Sequence, residues 1–261
     1  MNNRLVRPAG MDAIYDLDSF YRTSLGQYCL AWEQNEFDKL VSDCFGYNAL
    51  QLGASSIDFL RNNRIALKIA GDREMRNLTH VPDEASARVR LQPETLPFES
   101  ESIDLVLLPH TLELAEDPHS VLRETARVLI PGGRVILTGF NLASLWGLRV
   151  GMQKFGLPQF LPARNFMTVP QIRDWLQLLS FNVDRGAFGR YGWYKTNKCA
   201  RHPAWVEKAG DRWWPQCGSL FALSAVKTVN SGVFVGKVLK KNYFFAGAKA
   251  GVKSNKQAVK E

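Results

Sequence analysis

The chain has only four cysteines in 261 residues, Cys29, Cys44, Cys199 and Cys217, and no two of them stand at a C-x-x-C spacing. Disulfide scaffolds and zinc ribbons need paired or regularly spaced cysteines, so neither is expected, and the thiols read as free groups in a reducing compartment. Cys199, His202 and Cys217 lack the short paired spacings of a zinc site, so no metal is expected. Long apolar runs are missing as well. No stretch approaches the roughly 18 to 20 residues needed to cross a bilayer. Pro8, Asp12, Asp16 and Asp18 interrupt the place where a secretory signal would need its apolar core. The expectation is a cytoplasmic protein with no transmembrane segment.

Charge of one sign is also scarce over most of the length. The formal net charge is +8, but residues 230–261 hold seven lysines against a single glutamate, so +6 of it lies in that tail. The rest is too nearly balanced to argue for a nucleic-acid surface. The tail admits three readings: a basic amphipathic segment for an anionic membrane surface, lysines that contact nucleic-acid phosphates, or a solvated flexible extension.

What the sequence does have is 46% apolar residues, enough for one sizeable core. Leu25, Tyr28, Cys29, Trp32, Phe37, Leu40, Val41 and Phe45 recur at helical spacing and predict an N-terminal helical pair over about 17–45. Short β-like runs then alternate with helical ones. Strands are predicted at 49–52, 65–69, 87–91, 103–108 and 134–138, with a helix at 55–62 and another opened by Asp117-Pro118. Val121, Leu122, Thr125 and Val128 form the inward face of that second helix, and Pro131-Gly132-Gly133 turns the chain into the last of these strands. Strands spaced by helices imply parallel crossovers covered on both faces. Further along, Asn141 caps an unusually apolar helix over 142–155, which is either buried or a lid over an apolar ligand. Thr168 and Pro170 open another helix. Strands at 181–188 and 220–226 flank an insertion containing Trp193, Tyr194, Trp213 and Trp214.

Four pieces in order, "LPF" at 96–98, "SIDLVLLPHTLEL" at 102–114, "DPHSVLRETARVL" at 117–129 and "PGGRVILTGFN" at 131–141, together resemble the class I S-adenosylmethionine-dependent methyltransferases of the small-molecule, quinone-methyltransferase-like type. "FMTVPQIRDWLQLLSFNV" and "CGSLFALSAVKT" extend the likeness, which covers about residues 45–229. It implies an α/β, Rossmann-like seven-stranded sheet, mostly parallel, with helices on both faces. It also implies three parts: an N-terminal helical extension at 1–44, the methyltransferase-like domain at 45–229, and a basic, flexible tail at 230–261.

The resemblance implies S-adenosyl-L-methionine as cofactor and assigns it residues. Gly53, Ala54 and Ser55 follow the first strand as the cofactor loop. Gln92, Pro93 and Glu94 lie near the adenine, and Leu108, Pro109 and His110 end the fourth strand, where cofactor meets acceptor. Gln51 and Gln92 stand where the family usually has carboxylates, and the loop keeps only Gly53 of several glycines. Asp72 is the candidate for the ribose hydroxyls, its alternative being a turn residue in "AGDRE", with Lys68 or Ala70 at the ribose position instead. His110 is the candidate catalytic base; the alternative is a strand-end histidine that packs or hydrogen-bonds. The implied activity is in-line methyl transfer to a small or lipophilic acceptor. The alternatives are an inactive binding module of the same fold and an RNA methyltransferase aided by the tail.

Overall fold

The computed structural model describes residues 17–73, 87–152, 161–191 and 215–228, all within one compact unit, Met1–Val229. The Trp-rich insertion, Cys199, His202, the far end of the apolar helix and the lysine-rich tail lie outside the described residues. No helix among the described residues is long and apolar enough to cross a membrane.

The N-terminal pair is present as α1 (Leu17–Tyr21) and α2 (Ser24–Val41). Thr23 links them. Its Oγ1 accepts from the Gly26 amide at 3.0 Å, capping α2, and donates to the Phe20 carbonyl at 2.7 Å. Gly26 makes the fold-back possible, because a Cβ there would lie 1.9 Å from the Phe20 carbonyl oxygen.

Seven strands follow: β1 (Asn48–Leu52), β2 (Leu67–Asp72), β3 (Ala87–Arg90), β4 (Ile103–Pro109), β5 (Leu129–Phe140), β6 (Phe181–Gly189) and β7 (Leu220–Lys227). They form one sheet in the order β3-β2-β1-β4-β5-β7-β6. The first five are parallel, and β7 runs antiparallel to both β5 and β6. The remaining α-helices among the described residues are α3 (Thr111–Leu114), α4 (Pro118–Val128), α5 (Leu145–Met152) and α6 (Val169–Leu178). Asp117 caps α4, and Val121, Leu122, Thr125 and Val128 are its buried residues, the face read from the sequence.

Alternate residues of the central strands feed two cores. On one face Leu50, Leu52, Val106, Leu108 and Leu137 pack against α4 and α6. On the other, Ala49, Leu105, Leu107 and Ile136 meet Cys29, Phe37 and Val41 of α2.

Four expectations need correction. Residues 55–62 form turns, not a helix, because side chains capture the backbone amides a helix would use. Asp58 Oδ1 accepts from Leu60 N at 2.8 Å, and Gln51 Oε1 from Phe59 N at 3.1 Å. Phe59 packs on Phe37 at 4.5 Å between ring centroids, so α2 covers the sheet face that a crossover helix would otherwise cover. Next, β5 begins at Leu129, and Pro131-Gly132-Gly133 sits in a register shift between the Ile103–Leu129 and Leu105–Arg134 pairings rather than before the strand. Third, the apolar helix begins at Leu145. Asn141 Oδ1 bonds Ala143 N in the preceding turn, while Ser144 Oγ accepts from Gly147 N. Finally, α5 is not buried all round: Trp146 is enclosed, but Leu145 and Leu148 are 47% and 62% exposed.

Candidate functional site

β1 pairs with β2 on one side and β4 on the other, so successive crossovers part at the carboxyl ends of β1 and β4. A crevice at such a switch point is where open α/β sheets place ligands. The chain turns sharply there. Gly53 has φ +83° and Ala54 φ +47°. Left-handed geometry costs a residue with a Cβ roughly 1–2 kcal/mol, which Gly53 avoids and Ala54 bears. Gly53 N donates to the Gly71 carbonyl at 2.9 Å. Thr111 Oγ1 donates to the Leu52 carbonyl at 2.5 Å and would sit 3.4 Å from a Cβ on Gly53, so the ends of β1 and β4 are tied to each other.

Asp72 ends β2, is 7% exposed, and accepts from Ser55 Oγ at 3.0 Å. Gly53, Ala54, Ser55 and Asp72 are thus brought together. Gln51 is buried and turned into its own loop, with its carboxamide nitrogen 2.8–3.3 Å from the carbonyls of Gly53, Ala54 and Ile57.

Past β3, Gln92 is exposed and bridges to Thr95, while Pro93 is buried. Glu94 pairs with Arg73, and its Oε1 accepts from Glu116 N at 3.0 Å. Arg73, Arg90, Leu91, Gln92, Thr95 and Pro97 line a cavity of about 470 Å³ beside the ends of β2 and β3.

At the end of β4, Leu108 faces the core and Pro109 presents its carbonyl toward Gly53. His110 follows with φ +52° and is completely buried. Its Nδ1 lies 2.7 Å from Glu113 Oε2 and its Nε2 2.8 Å from Glu33 Oε1. Tyr21 donates its hydroxyl to Glu33 Oε2 at 2.5 Å, and Phe140 N donates to Glu113 Oε1 at 2.5 Å. Burial alone would lower the imidazole's proton affinity, but the facing carboxylates Glu33 and Glu113 outweigh it and raise the pKa from 6.5 to about 10. Burial raises the Glu113 carboxyl above its ordinary value, the His110 charge offsetting only part of that effect. Burial, then the neighbouring Glu33, push the Tyr21 phenol well above 10. At neutral pH both ring nitrogens of His110 therefore carry protons and donate them to carboxylates.

Sequence reasoning did not single out Glu33, Tyr21, Glu113 or Thr111. A signal for Glu33 existed, since Cys29, Glu33 and Phe37 are four apart on one helix face and all are buried. Thr138, paired in register with Pro109, adds a buried hydroxyl that has no hydrogen-bond partner among the described residues.

Residues 53–137 match the family model described as "Methyltransferase domain". The uncharacterized protein YafS of Escherichia coli K12 is 42% identical over 96 residues, which is 37% of this chain and 40% of that protein, so the match spans well under two thirds of its length. Among solved structures, the putative methyltransferase of Haloferax volcanii, determined in complex with the Trm112 methyltransferase activator, shares 16% identity at a TM-score of 0.58. That likeness covers 85% of this chain and 98% of the other. A Thermotoga maritima protein described as an S-adenosylmethionine-dependent methyltransferase, possibly acting on histamine, shares 16% identity at a TM-score of 0.52, over 81% of this chain and all of the other. The strand order, the switch-point loop and the domain match over residues 53–137 agree: the chain carries a methyltransferase domain on the fold of the class I S-adenosylmethionine-dependent methyltransferases.

Proposed function

We propose that the chain transfers a methyl group from S-adenosylmethionine to a small or lipophilic acceptor, in the cytoplasm. The observation that carries this reading is the meeting of Gly53, Ala54, Ser55 and Asp72 at the β1/β4 switch point. The residues present fit the cofactor's adenosine half. Asp72 offers a carboxylate to the ribose diol, and the cavity beside Leu91, Gln92 and Pro97 offers a mixed polar and apolar wall to adenine. Thr138 Oγ1 is a buried polar atom without a partner among the described residues. Leu145 and Leu148 of α5 give a lipophilic acceptor an exposed apolar surface.

The cofactor supplies an activated methyl sulfonium when bound. This chain's part is to position the reactants and exclude water. Gly53 and Pro109 bring backbone to the crevice without side-chain bulk. His110 does not serve as a base in this arrangement, since it holds both protons and faces carboxylates on both sides. Its part is to fix α1, α2 and α3 around the end of β4, which is the strand-end alternative read from the sequence.

Calorimetric titration with S-adenosylmethionine and S-adenosylhomocysteine should show one site per chain; no heat from either at high micromolar concentration refutes the reading. Asp72→Ala should weaken both ligands by about ten- to a hundredfold, the loss of hydrogen bonds to a charged group, and should lower the thermal midpoint by a few degrees, because the buried Ser55 hydroxyl loses its acceptor. A second reading, ligand binding without transfer, is favoured by the complete burial of His110. Transfer of label from the cofactor to any component of a cell extract eliminates it.

A further inference from the structure

We propose that Gln51, which occupies a position where a family carboxylate usually stands, is the positioning residue of the switch-point loop and does not itself contact the cofactor; the ligand-binding part of this inference rests on the function proposed above. Its carboxamide nitrogen donates toward three carbonyl oxygens, Gly53 at 3.3 Å, Ala54 at 3.1 Å and Ile57 at 2.8 Å. Its carbonyl oxygen accepts from Phe59 N at 3.1 Å. All four partners lie within eight residues of Gln51, and the side chain is only 4% exposed. One group therefore satisfies backbone atoms within and after the left-handed turn at Gly53 and Ala54, in a segment whose own backbone adds one turn hydrogen bond, Ile57 N to the Ala54 carbonyl at 3.0 Å, and no α-helical ladder.

The chemistry excludes a carboxylate here. An ionised acid only accepts hydrogen bonds, and it would set anionic oxygen against three carbonyl oxygens in a site closed to water. The sequence departure at 51 is thus compensation for the absent crossover helix. Where no helix follows β1, its loop carbonyls need a donor, and glutamine provides one while still accepting from Phe59.

Gln51→Glu tests this because its outcome depends on protonation. A neutral glutamic acid has one O–H to donate and a carbonyl to accept, so it imitates the carboxamide, whereas the carboxylate does not. The hydrogen bonds of Gln51 are all to backbone atoms, and the carboxylates of this loop and of the end of β2 are engaged elsewhere: Asp58 accepts from Leu60 N and Asp72 from Ser55. The affinity of the full chain for S-adenosylhomocysteine, as the ratio of variant to wild type at each pH, should be within about threefold at pH 5.5. At pH 8 the variant should be weaker by at least about tenfold. Amide exchange at residues 54–60, corrected for intrinsic rates, should match the wild type at pH 5.5 and accelerate by about tenfold or more at pH 8.

Tighter binding by the variant at pH 8 would make position 51 a cofactor contact and overturn the proposal. A loss independent of pH would overturn it too, by reducing Gln51 to a packing residue. If the wild type binds neither cofactor nor product, the function proposed above fails, and amide exchange alone decides the loop: acceleration with pH upholds Gln51 as its anchor, unchanged exchange removes it. A variant that unfolds outright at pH 8 but remains folded at pH 5.5 is the strong form of the expected result.

Discussion

Glu33→Ala is expected to destabilise the fold by about 3–5 kcal/mol, the usual cost of removing one partner from a buried ion pair. The substitution strands two donors at once. Tyr21 loses the acceptor for its hydroxyl and His110 loses the acceptor at Nε2, and neither has access to water, since Tyr21 is 2% exposed and His110 fully buried. A vacated side-chain volume between α2 and the end of β4 adds to the loss. For a chain of this size the thermal midpoint should fall by roughly 10 °C or more. Glu33→Gln should cost clearly less, because its carboxamide keeps an acceptor for Tyr21 and can donate to an imidazole that has released one proton. Urea titrations of the wild type and both variants check the order; equal stability of Glu33→Ala and wild type would show that the network contributes nothing.

That network also marks the limit of what the sequence disclosed. The sheet was legible because each central strand is an apolar run of four to eight residues bounded by turn signals, and α4 announces itself through Asp117, Pro118 and its inward face. The segment after β1 was misread for a physical reason. Ile57 and Leu60 sit three apart, as on a helix, but Gln51, Asp58 and Asn63 occupy the backbone amides and carbonyls on which a helix depends. Glu33 escaped notice because periodicity counts apolar residues, and a carboxylate on a buried stripe looks like a gap in the pattern. Its meaning depends on His110, which is 77 residues away in the chain. Glu113 was the more readable partner, three residues after His110 and therefore on the same side of one helical turn. The meeting of the loop with Asp72 was expected from the family likeness and from the separation of Gly53 and Asp72 in the chain. The way they are held was not, since it rests on hydrogen bonds between side chains and backbone.

The same cluster should make stability fall in alkaline solution well before lysines or tyrosines are stripped of their protons. The His110 pKa is raised from 6.5 to about 10 in the folded chain, so its contribution is fully present below about 6.5 and is lost as pH climbs through about 10. The groups facing it act in a consistent direction. Glu113 is raised as well, so the proton it favours in the folded state is also surrendered with rising pH, and Tyr21, raised well above 10, stays neutral across the window. Glu33 is the remaining charged partner, at Nε2. At the limiting slope of about 1.4 kcal/mol per pH unit, the window from 6.5 to 10 corresponds to a loss of about 3–5 kcal/mol. Urea midpoints at intervals from pH 6 to pH 10 should fall steeply for the wild type. For His110→Asn, which accepts the left-handed backbone at position 110 but has no ring proton to lose, the fall should come at lower pH, since Glu113, raised by burial, loses the imidazolium charge that offsets part of that rise. Parallel curves for the two proteins would mean that the imidazolium is not what the carboxylates hold in place. A variant curve that has already fallen at neutral pH, and is flat where the wild type declines toward pH 10, would locate the alkaline weakness at the end of β4, where α1, α2 and α3 are tied to the sheet by one protonated ring.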